Sequence, residues 1–471
     1  MIGREKEIEI LEQAIRSETP QFIAVYGRRR VGKTYLVRET VGYRFTFQHT
    51  GLSGGTMGEQ IAAFELSLKE TGLRIRKKAQ NWMDAFSHLK ELISASTEKK
   101  KIVFIDELSW MDTPKSDLMM ALEYFWNAWA SARNDIVLIV CSSATSWILS
   151  KIIHNKGGLY NRLTCRIRLL PFSLHECETY ITTQGISLSR GQILQCYMIL
   201  GGIPYYWTFL KKGLSLSQNI DQMMFSENAP LKDEFQYLYA AIFKKPDIYI
   251  KIVQALAQKK VGMTREELIS AAGVGNTGNL TTKLEELESC GFIRKYQAFG
   301  MKKKNALYQL MDFFTLFYYR FMETRPTDEH FWSNQIKTPA INVWHGLAFE
   351  RVCLNHISQI KQKLGILGVL THVNSWSCKE DKENGVFGSQ IDLLIVRNDQ
   401  IINLCEMKYS ESEYTVTQDV DRGINRKIHD LQTVTKTRHA IHPTLITSYG
   451  VVDNPYALNM QAVITMNDLF L

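Results

Sequence analysis

The segment Gly27-Arg28-Arg29-Arg30-Val31-Gly32-Lys33-Thr34 holds the residue types that wrap a chain of phosphates. Its glycines let the backbone curl until N–H groups face phosphate oxygens, and the start of a following helix adds partial positive charge. Lys33 can reach β- and γ-phosphates as a point charge, and the Thr34 hydroxyl is a ligand type for Mg²⁺. Arg28, Arg29, Arg30 and Val31 form the body of the same loop. The context is the one such a loop requires, since the run Phe22-Ile23-Ala24-Val25-Tyr26 predicts a strand before it and a helix is expected after it.

A second set of groups completes this chemistry. Ile102-Val103-Phe104-Ile105-Asp106-Glu107 reads as a buried strand ending in two acids. Asp106 is placed to hold Mg²⁺ through water, and Glu107 to polarise a nucleophilic water. The strand over 136–141 ends in Ser142-Ser143, and either serine, Ser142 or Ser143, suits a sensor of the γ-phosphate or of the attacking water, or an ordinary strand-end cap. Beyond it, Arg162 suits either an arginine finger or an ordinary surface ion pair.

A third constellation lies far downstream. Residues 390–396, the turn 397–400 and residues 401–408 predict a hairpin whose second strand ends Glu406-Met407-Lys408. Glu406 and Lys408, two apart on a strand, share one face. With Asp392 beside them, two carboxylates and a lysine converge; the acids can hold Mg²⁺ and the lysine can orient a water and steady a pentavalent phosphate. Glu350, on the preceding helix, adds a further acid. The arrangement carries a geometric condition: Asp392 and Glu406 oppose each other only across an odd-length loop or a bulge, and Asn398-Asp399-Gln400 as a three-residue loop meets it.

The elements that must position these groups follow from periodicity. Short β-branched runs at 22–26, 44–47, 102–105, 136–140 and 165–169 alternate with helical segments, which predicts a parallel sheet covered on both faces. The core therefore spans 1–170, and a helical lid follows over 171–240. Residues 241–312 show helix, helix, turn, helix and hairpin, the order of a winged helix-turn-helix. A helical connector covers 313–343, and a strand-rich block opened by a helix at 347–363 covers 344–471. Lys302, Lys303 and Lys304 form a basic wing tip suited to phosphate contacts, whereas Glu285, Glu286 and Glu288 make the third helix acidic. The wing thus suits either DNA or a protein partner.

Composition narrows the class. The chain has 471 residues, 45% hydrophobic and 22% charged, which excludes a disordered or collagen-like chain and predicts several domains. A net charge of +8 permits a nucleic-acid partner without requiring one. No apolar run approaches the length of a membrane span, and no secretory signal is visible. Eight cysteines, none at CxxC spacing, read as reduced core thiols of a cytoplasmic protein.

Together with Gly3-Arg4-Glu5-Lys6-Glu7 and Leu200-Gly201-Gly202-Ile203-Pro204, the phosphate-loop and Asp-Glu segments resemble those of prokaryotic AAA-type ATPases of the archaeal ATPase group, relatives of STAND and Orc/Cdc6-like ATPases. The resemblance implies that Arg4 lies near the adenine and that Pro204 lines the nucleotide site from the lid. It implies a winged helix and a C-terminal domain of nuclease-like type. The hairpin triad with Glu350 is similar to the PD-(D/E)xK nuclease core, with Ile391 where a proline usually precedes the first acid. The expected protein is an α/β P-loop ATPase that binds ATP or ADP with Mg²⁺ and acts on DNA or RNA, with homo-oligomer formation left open. The alternative is a nucleotide-dependent switch or scaffold whose C-terminal domain is inactive.

Overall fold

The computed structural model describes residues 1–154, 157–243, 245–300 and 306–471. It divides into two units, one of residues 1–171 with 238–246 and one of residues 172–237 with 247–471.

The first unit is built on five parallel strands: β1 (Gln21–Tyr26), β2 (Phe47–Thr50), β3 (Lys101–Asp106), β4 (Ile136–Ser142) and β5 (Cys165–Arg168). Their order is β2-β3-β4-β1-β5. β4 is buried at every position, as expected of a central parallel strand covered on both faces. Phe22, Ala24, Val103, Ile105, Leu138 and Val140 pack with Phe64, Trp82, Phe86 and Phe125 from flanking helices. The strand expected over 44–47 lies instead at Phe47–Thr50. Tertiary pairing shifts it: Thr46 N donates to Ile102 O at 2.9 Å, and the ladder with β3 runs on from Phe47. The carboxyl ends of β1, β3 and β4 meet at one edge, where α/β sheets of this kind place ligands.

In the second unit, the helical segment expected as a lid at 171–240 packs its aromatic residues onto the helical stretch of residues 313–322. Tyr197 meets Phe313, Tyr206 meets Phe314, and Phe235 stacks on Tyr318 at 4.0 Å. The helix expected over 347–363 is two helices, Pro339–Asn355 and Ile357–Lys363, parted at His356. Burial pushes this imidazole down to about 4, so it is neutral. Its Nε2 accepts from Leu174 N at 3.1 Å, which leaves Nδ1 to donate to Val352 O at 2.8 Å.

Between these helical parts lie helices Asp247–Ala257, Arg265–Ala272 and Gly278–Ser289 beside a sheet of β6 (Met263–Thr264), β7 (Ile293–Tyr296) and β8 (Leu307–Leu310), ordered β6-β8-β7. Thr264 closes a capping box with Glu267. Lys302, Lys303 and Lys304 lie outside the described residues.

The last block is a mixed sheet in the order β13-β12-β11-β10-β9: β9 (Thr371–Cys378), β10 (Ser389–Arg397), β11 (Ile401–Lys408), β12 (Ala440–Thr447) and β13 (Ala462–Ile464). β9, β10 and β11 are antiparallel, while β12 and β13 add on in parallel. The β10–β11 register runs from Leu393↔Cys405 to Val396↔Ile402. The residues between the strands are Asn398-Asp399-Gln400, with Gln400 left-handed at φ 66°, a three-residue hairpin geometry. Continued by one step, this register sets Asp392 opposite Glu406. Helix Gln418–Thr435, only faintly marked in the sequence, packs Leu431 against Ile391, Leu394, Ile402 and Leu404.

Candidate functional site

Two groups of side chains stand out, one in each unit. In the first unit the chain leaves β1 at Gly27, whose φ is 150°. A Cβ there would lie 2.2 Å from Leu169 O, so only glycine fits. Gly32, at φ 92°, caps the helix Lys33–Val41 in a left-handed conformation, and a Cβ at Gly32 would meet nothing within 4 Å. The turn therefore opens on free space at the start of a helix. Lys33 is buried, and its Nζ donates to Gly27 O at 3.0 Å and Arg28 O at 2.9 Å, which holds the ammonium inside the curve of the loop. Thr34 Oγ1 donates to Asp106 Oδ2 at 2.6 Å across 72 positions of sequence. The hydroxyl and the carboxylate that a Mg²⁺ ion needs are thus already side by side. Arg29 lies 5.9 Å from the Trp110 ring, while Arg30 takes the left-handed turn at φ 69°. Val31 is buried beneath the loop.

Glu107 stands at φ 46°, directly after Asp106, whose Oδ1 accepts from Glu107 N at 2.9 Å. Its Oε2 accepts from Ser143 N at 3.0 Å and from Ser143 Oγ at 2.8 Å. The two paired serines take different partners here. Ser142 is fully buried and donates to Ser109 Oγ at 2.8 Å, while Ser143 is the one that touches the acid. The strand alternation explains it, because consecutive residues at a strand end point to opposite faces. Gln60, also missed, is 0% exposed and binds Leu52 N and O and Trp110 O. It ties the loop after β2 to the segment after β3, and an isolated glutamine carries no sequence signal for that role. Arg4 is buried with Nη2 donating to Leu170 O at 2.8 Å. Arg162 is exposed in the turn before β5. Pro204 opens a short helix, Pro204–Trp207, in the second unit.

The second group lines a cavity of about 470 Å³ in the second unit. Glu350, Asp392, Glu406 and Lys408 all face it, joined by Lys260, Arg426 and Lys427. Lys408 Nζ lies 3.0 Å from Glu406 Oε1, and Lys427 Nζ lies 2.7 Å from Glu406 Oε2. Burial alone would raise the Glu406 carboxyl, but Lys427 and Lys408 outweigh it and hold it below the usual range. Glu350 goes the other way. Burial, then the Asp392 charge, raises it against the opposing pull of Lys260. Lys260 Nζ sits 2.6 Å from Glu350 Oε1 and 3.7 Å from Asp392 Oδ2. Asp392 Oδ1 accepts from Gln390 Nε2 at 2.6 Å.

The expected metal pair of Asp392 and Glu406 is thus not gathered as a bare acidic cluster. Among the described residues no three His, Cys, Asp or Glu side chains are grouped to hold a metal ion, because ammonium groups stand between the carboxylates. Glu350 Oε2 is nevertheless buried without a partner among the described residues, an acceptor that fits a cation in the cavity. Lys260 and Lys427 were not singled out as site residues, since nothing local sets them apart from other lysines. Asp430, fully buried, accepts from Phe387 N at 3.0 Å and from Ser389 Oγ, and so anchors the start of β10.

Residues 1–209 match a family described as "ATPase domain predominantly from Archaea". That part of the chain is similar to this ATPase family, and its parallel strand order and glycine-bearing loop agree with the likeness. Over 431 residues the chain is 22% identical to an uncharacterized protein of Methanocaldococcus jannaschii, covering 90% of this chain and 91% of that one. Among solved structures it is similar to the Walker-type ATPase of Pyrococcus abyssi, with TM-score 0.46 and 16% identity over 68% of this chain and 96% of that one. It is also similar to the Aeropyrum pernix ORC2 protein in its ADPNP–ADP complexes, with TM-score 0.44 and 14% identity over 68% of this chain and 93% of that one. No described helix is long and apolar enough to cross a membrane.

Proposed function

We propose that the chain binds and hydrolyses ATP in its first unit and uses the nucleotide state to control a DNA- or RNA-directed second unit. The loop amides of residues 27–34 and the Lys33 ammonium would take the phosphates. Mg²⁺ would be held by the Thr34 hydroxyl and, through water, by Asp106; when bound it neutralises charge on the β- and γ-phosphates. Glu107 orients and polarises the attacking water, and Ser143 holds its carboxylate in place from two atoms. Arg4, and Pro204 from the helical segment, are assigned to the adenine side by resemblance. Arg162, being exposed, is available as a finger toward a nucleotide of a neighbouring subunit.

In the second unit, the three helices with the small sheet read as a winged helix-turn-helix, and the mixed sheet as a nuclease-like domain of PD-(D/E)xK type. A divalent metal would be held there by Glu350 and Asp392 with Glu406; when bound it stabilises charge on the scissile phosphate. Lys408 orients the attacking water, and Lys427 and Arg426 attract the polyanionic backbone. The observation that carries this reading is that residues from positions 350, 392, 406 and 408 line one cavity with three further cations. The alternative, a nucleotide-dependent switch with a silent C-terminal domain, draws on the fact that its carboxylates are already ion-paired.

Cleavage of DNA and RNA in Mg²⁺ or Mn²⁺, with and without ATP, decides between them. Cutting by the native chain, reduced about a hundredfold or more in Lys408→Ala, is expected. If neither protein cuts any nucleic acid, the switch reading stands.

A further inference from the structure

Lys260 reaches the carboxylate cavity from outside the mixed sheet. It follows the helix Asp247–Ala257, 90 positions before Glu350, in the segment that leads into β6. Its ammonium lies at 2.6 Å from Glu350 and 3.7 Å from Asp392. One ammonium thus touches two carboxylates, one charge fewer by direct contact, while Arg351 and Lys408 act on Glu350 from farther off. Arg351 does not make up the difference by direct contact: its Nε donates to Leu310 O at 3.0 Å and its Nη2 to Lys260 O at 2.6 Å. Glu350 is only 7% exposed, and its Oε2 has no partner among the described residues. A buried acceptor without a donor is costly, and a divalent ion in place of the ammonium would reach the open oxygen as well.

The backbone and side chain of Lys260 are held very differently. Its carbonyl accepts from Arg351 and from Gln309 Nε2, at 2.7 Å for the latter. The main chain is thereby pinned, while the side chain remains 48% exposed and has room to rotate into solvent.

We propose that the Lys260 ammonium is a displaceable competitor for a divalent cation at Glu350 and Asp392, so that this pair loads a metal only as the Lys260 side chain swings away. The proposal rests on the nuclease-like reading for the nature of the ligand, a hard divalent cation, and adds how its site is regulated. An ammonium seated on the carboxylates keeps the cavity charge-compensated and metal-poor at low cation concentration. Loading becomes a competition between ions instead of simple filling.

The test is Mn²⁺ binding to the nucleotide-free full chain, followed by the electron paramagnetic resonance signal of free Mn²⁺. Lys260→Met, which keeps the stem and removes the charge, is expected to tighten binding about fivefold to tenfold. Lys259→Met should leave affinity unchanged, because Lys259 pairs with Glu267 at 2.6 Å and does not line the cavity. Adding Asp392→Asn to Lys260→Met should erase the gain. Unchanged or weaker binding in Lys260→Met overturns the proposal, as does an equal gain in Lys259→Met or a gain that survives Asp392→Asn. A second measurement uses the native chain. Acetylation of Lys260 by acetic anhydride, mapped by peptide mass spectrometry against Lys259, should accelerate as Mg²⁺ is added, and a flat rate counts against displacement. Cleavage assays on the same proteins address the underlying reading separately. Absence of cutting in all of them removes the nuclease assignment, while the Mn²⁺ shift still decides the role of Lys260.

Discussion

The two sites gather their polar and charged groups by opposite means. In the first unit the backbone is shaped in advance: Gly27 and Gly32 take conformations that other residues rarely adopt, and the polar side chains are parked on the loop and on each other. In the second unit one lining residue, Gly388, is left-handed at φ 83°, but the polar groups of the cavity are side chains. Side chains from 260, 350, 392, 406, 408 and 427 are brought together by sheet register and helix packing, and charge is balanced by ammonium groups at the carboxylates. A site made by one short loop and the two acids that end a neighbouring strand is sensitive at those few positions and tolerates change elsewhere. A site made by six distant residues is sensitive to anything that alters the packing between their elements.

Three substitutions put this contrast to the test. The largest effect is expected at Glu107, whose Oε2 is fixed by Ser143. Glu107→Gln should lower ATP turnover by about a hundredfold or more while ATP binding persists, read by steady-state phosphate release and equilibrium binding. Turnover at the native rate would remove Glu107 from its role.

Next is Gly27→Ala, which puts a methyl 2.2 Å from the Leu169 carbonyl oxygen at a φ of 150°. A loss of about 2–4 kcal/mol in unfolding free energy is expected, together with loss of nucleotide affinity. An alanine substitution at Gly423, which lines the second cavity but would meet nothing within 4 Å, should not unfold the protein comparably. Equal losses at both positions would erase the distinction between a backbone-made site and a side-chain-made one.

The smallest effect concerns Glu406. Burial opposes its ionisation, but Lys427 and Lys408 hold its carboxyl below the usual range. The stabilisation from such a lowered group is present above the unfolded-state value and is lost as pH falls through the folded one. Glu406→Gln should therefore cost about 1–3 kcal/mol near neutrality, and the difference from the native chain should shrink below about pH 4. Urea unfolding of both proteins across that range checks it. A pH-independent difference would mean that the ion pairs are not its source.

Legibility differed between the sites for a physical reason. Lys33 and Thr34 could be read directly because phosphate binding by a loop needs consecutive residues. Asp106 and Glu107 could be read because an apolar run ending in acids marks a strand edge. Even so, which of Ser142 and Ser143 meets Glu107 depended on the face each side chain takes, and the contact is made by Ser143. In the hairpin, the parity of Asp392 and Glu406 could be stated as a condition, but only the turn at Asn398–Gln400, closed by Gln400 at φ 66°, met it. The bounds of the lid segment could be read, but not its packing, because Tyr197, Tyr206 and Phe235 find their partners more than eighty positions downstream.

What residue order alone decided was local structure: which stretch curls at the start of a helix, which strand ends in acids, and which two side chains on β11 share a face. These depend on periodicities of two and 3.6 residues and on glycine's freedom of φ, all short-range properties. Tertiary structure decided the rest. It brought Lys260 onto Glu350 and Asp392, Lys427 onto Glu406, and Gln60 between two loops. Long, flexible or uncharged side chains such as these carry no positional signature, and only the folded packing sets which charge each one meets.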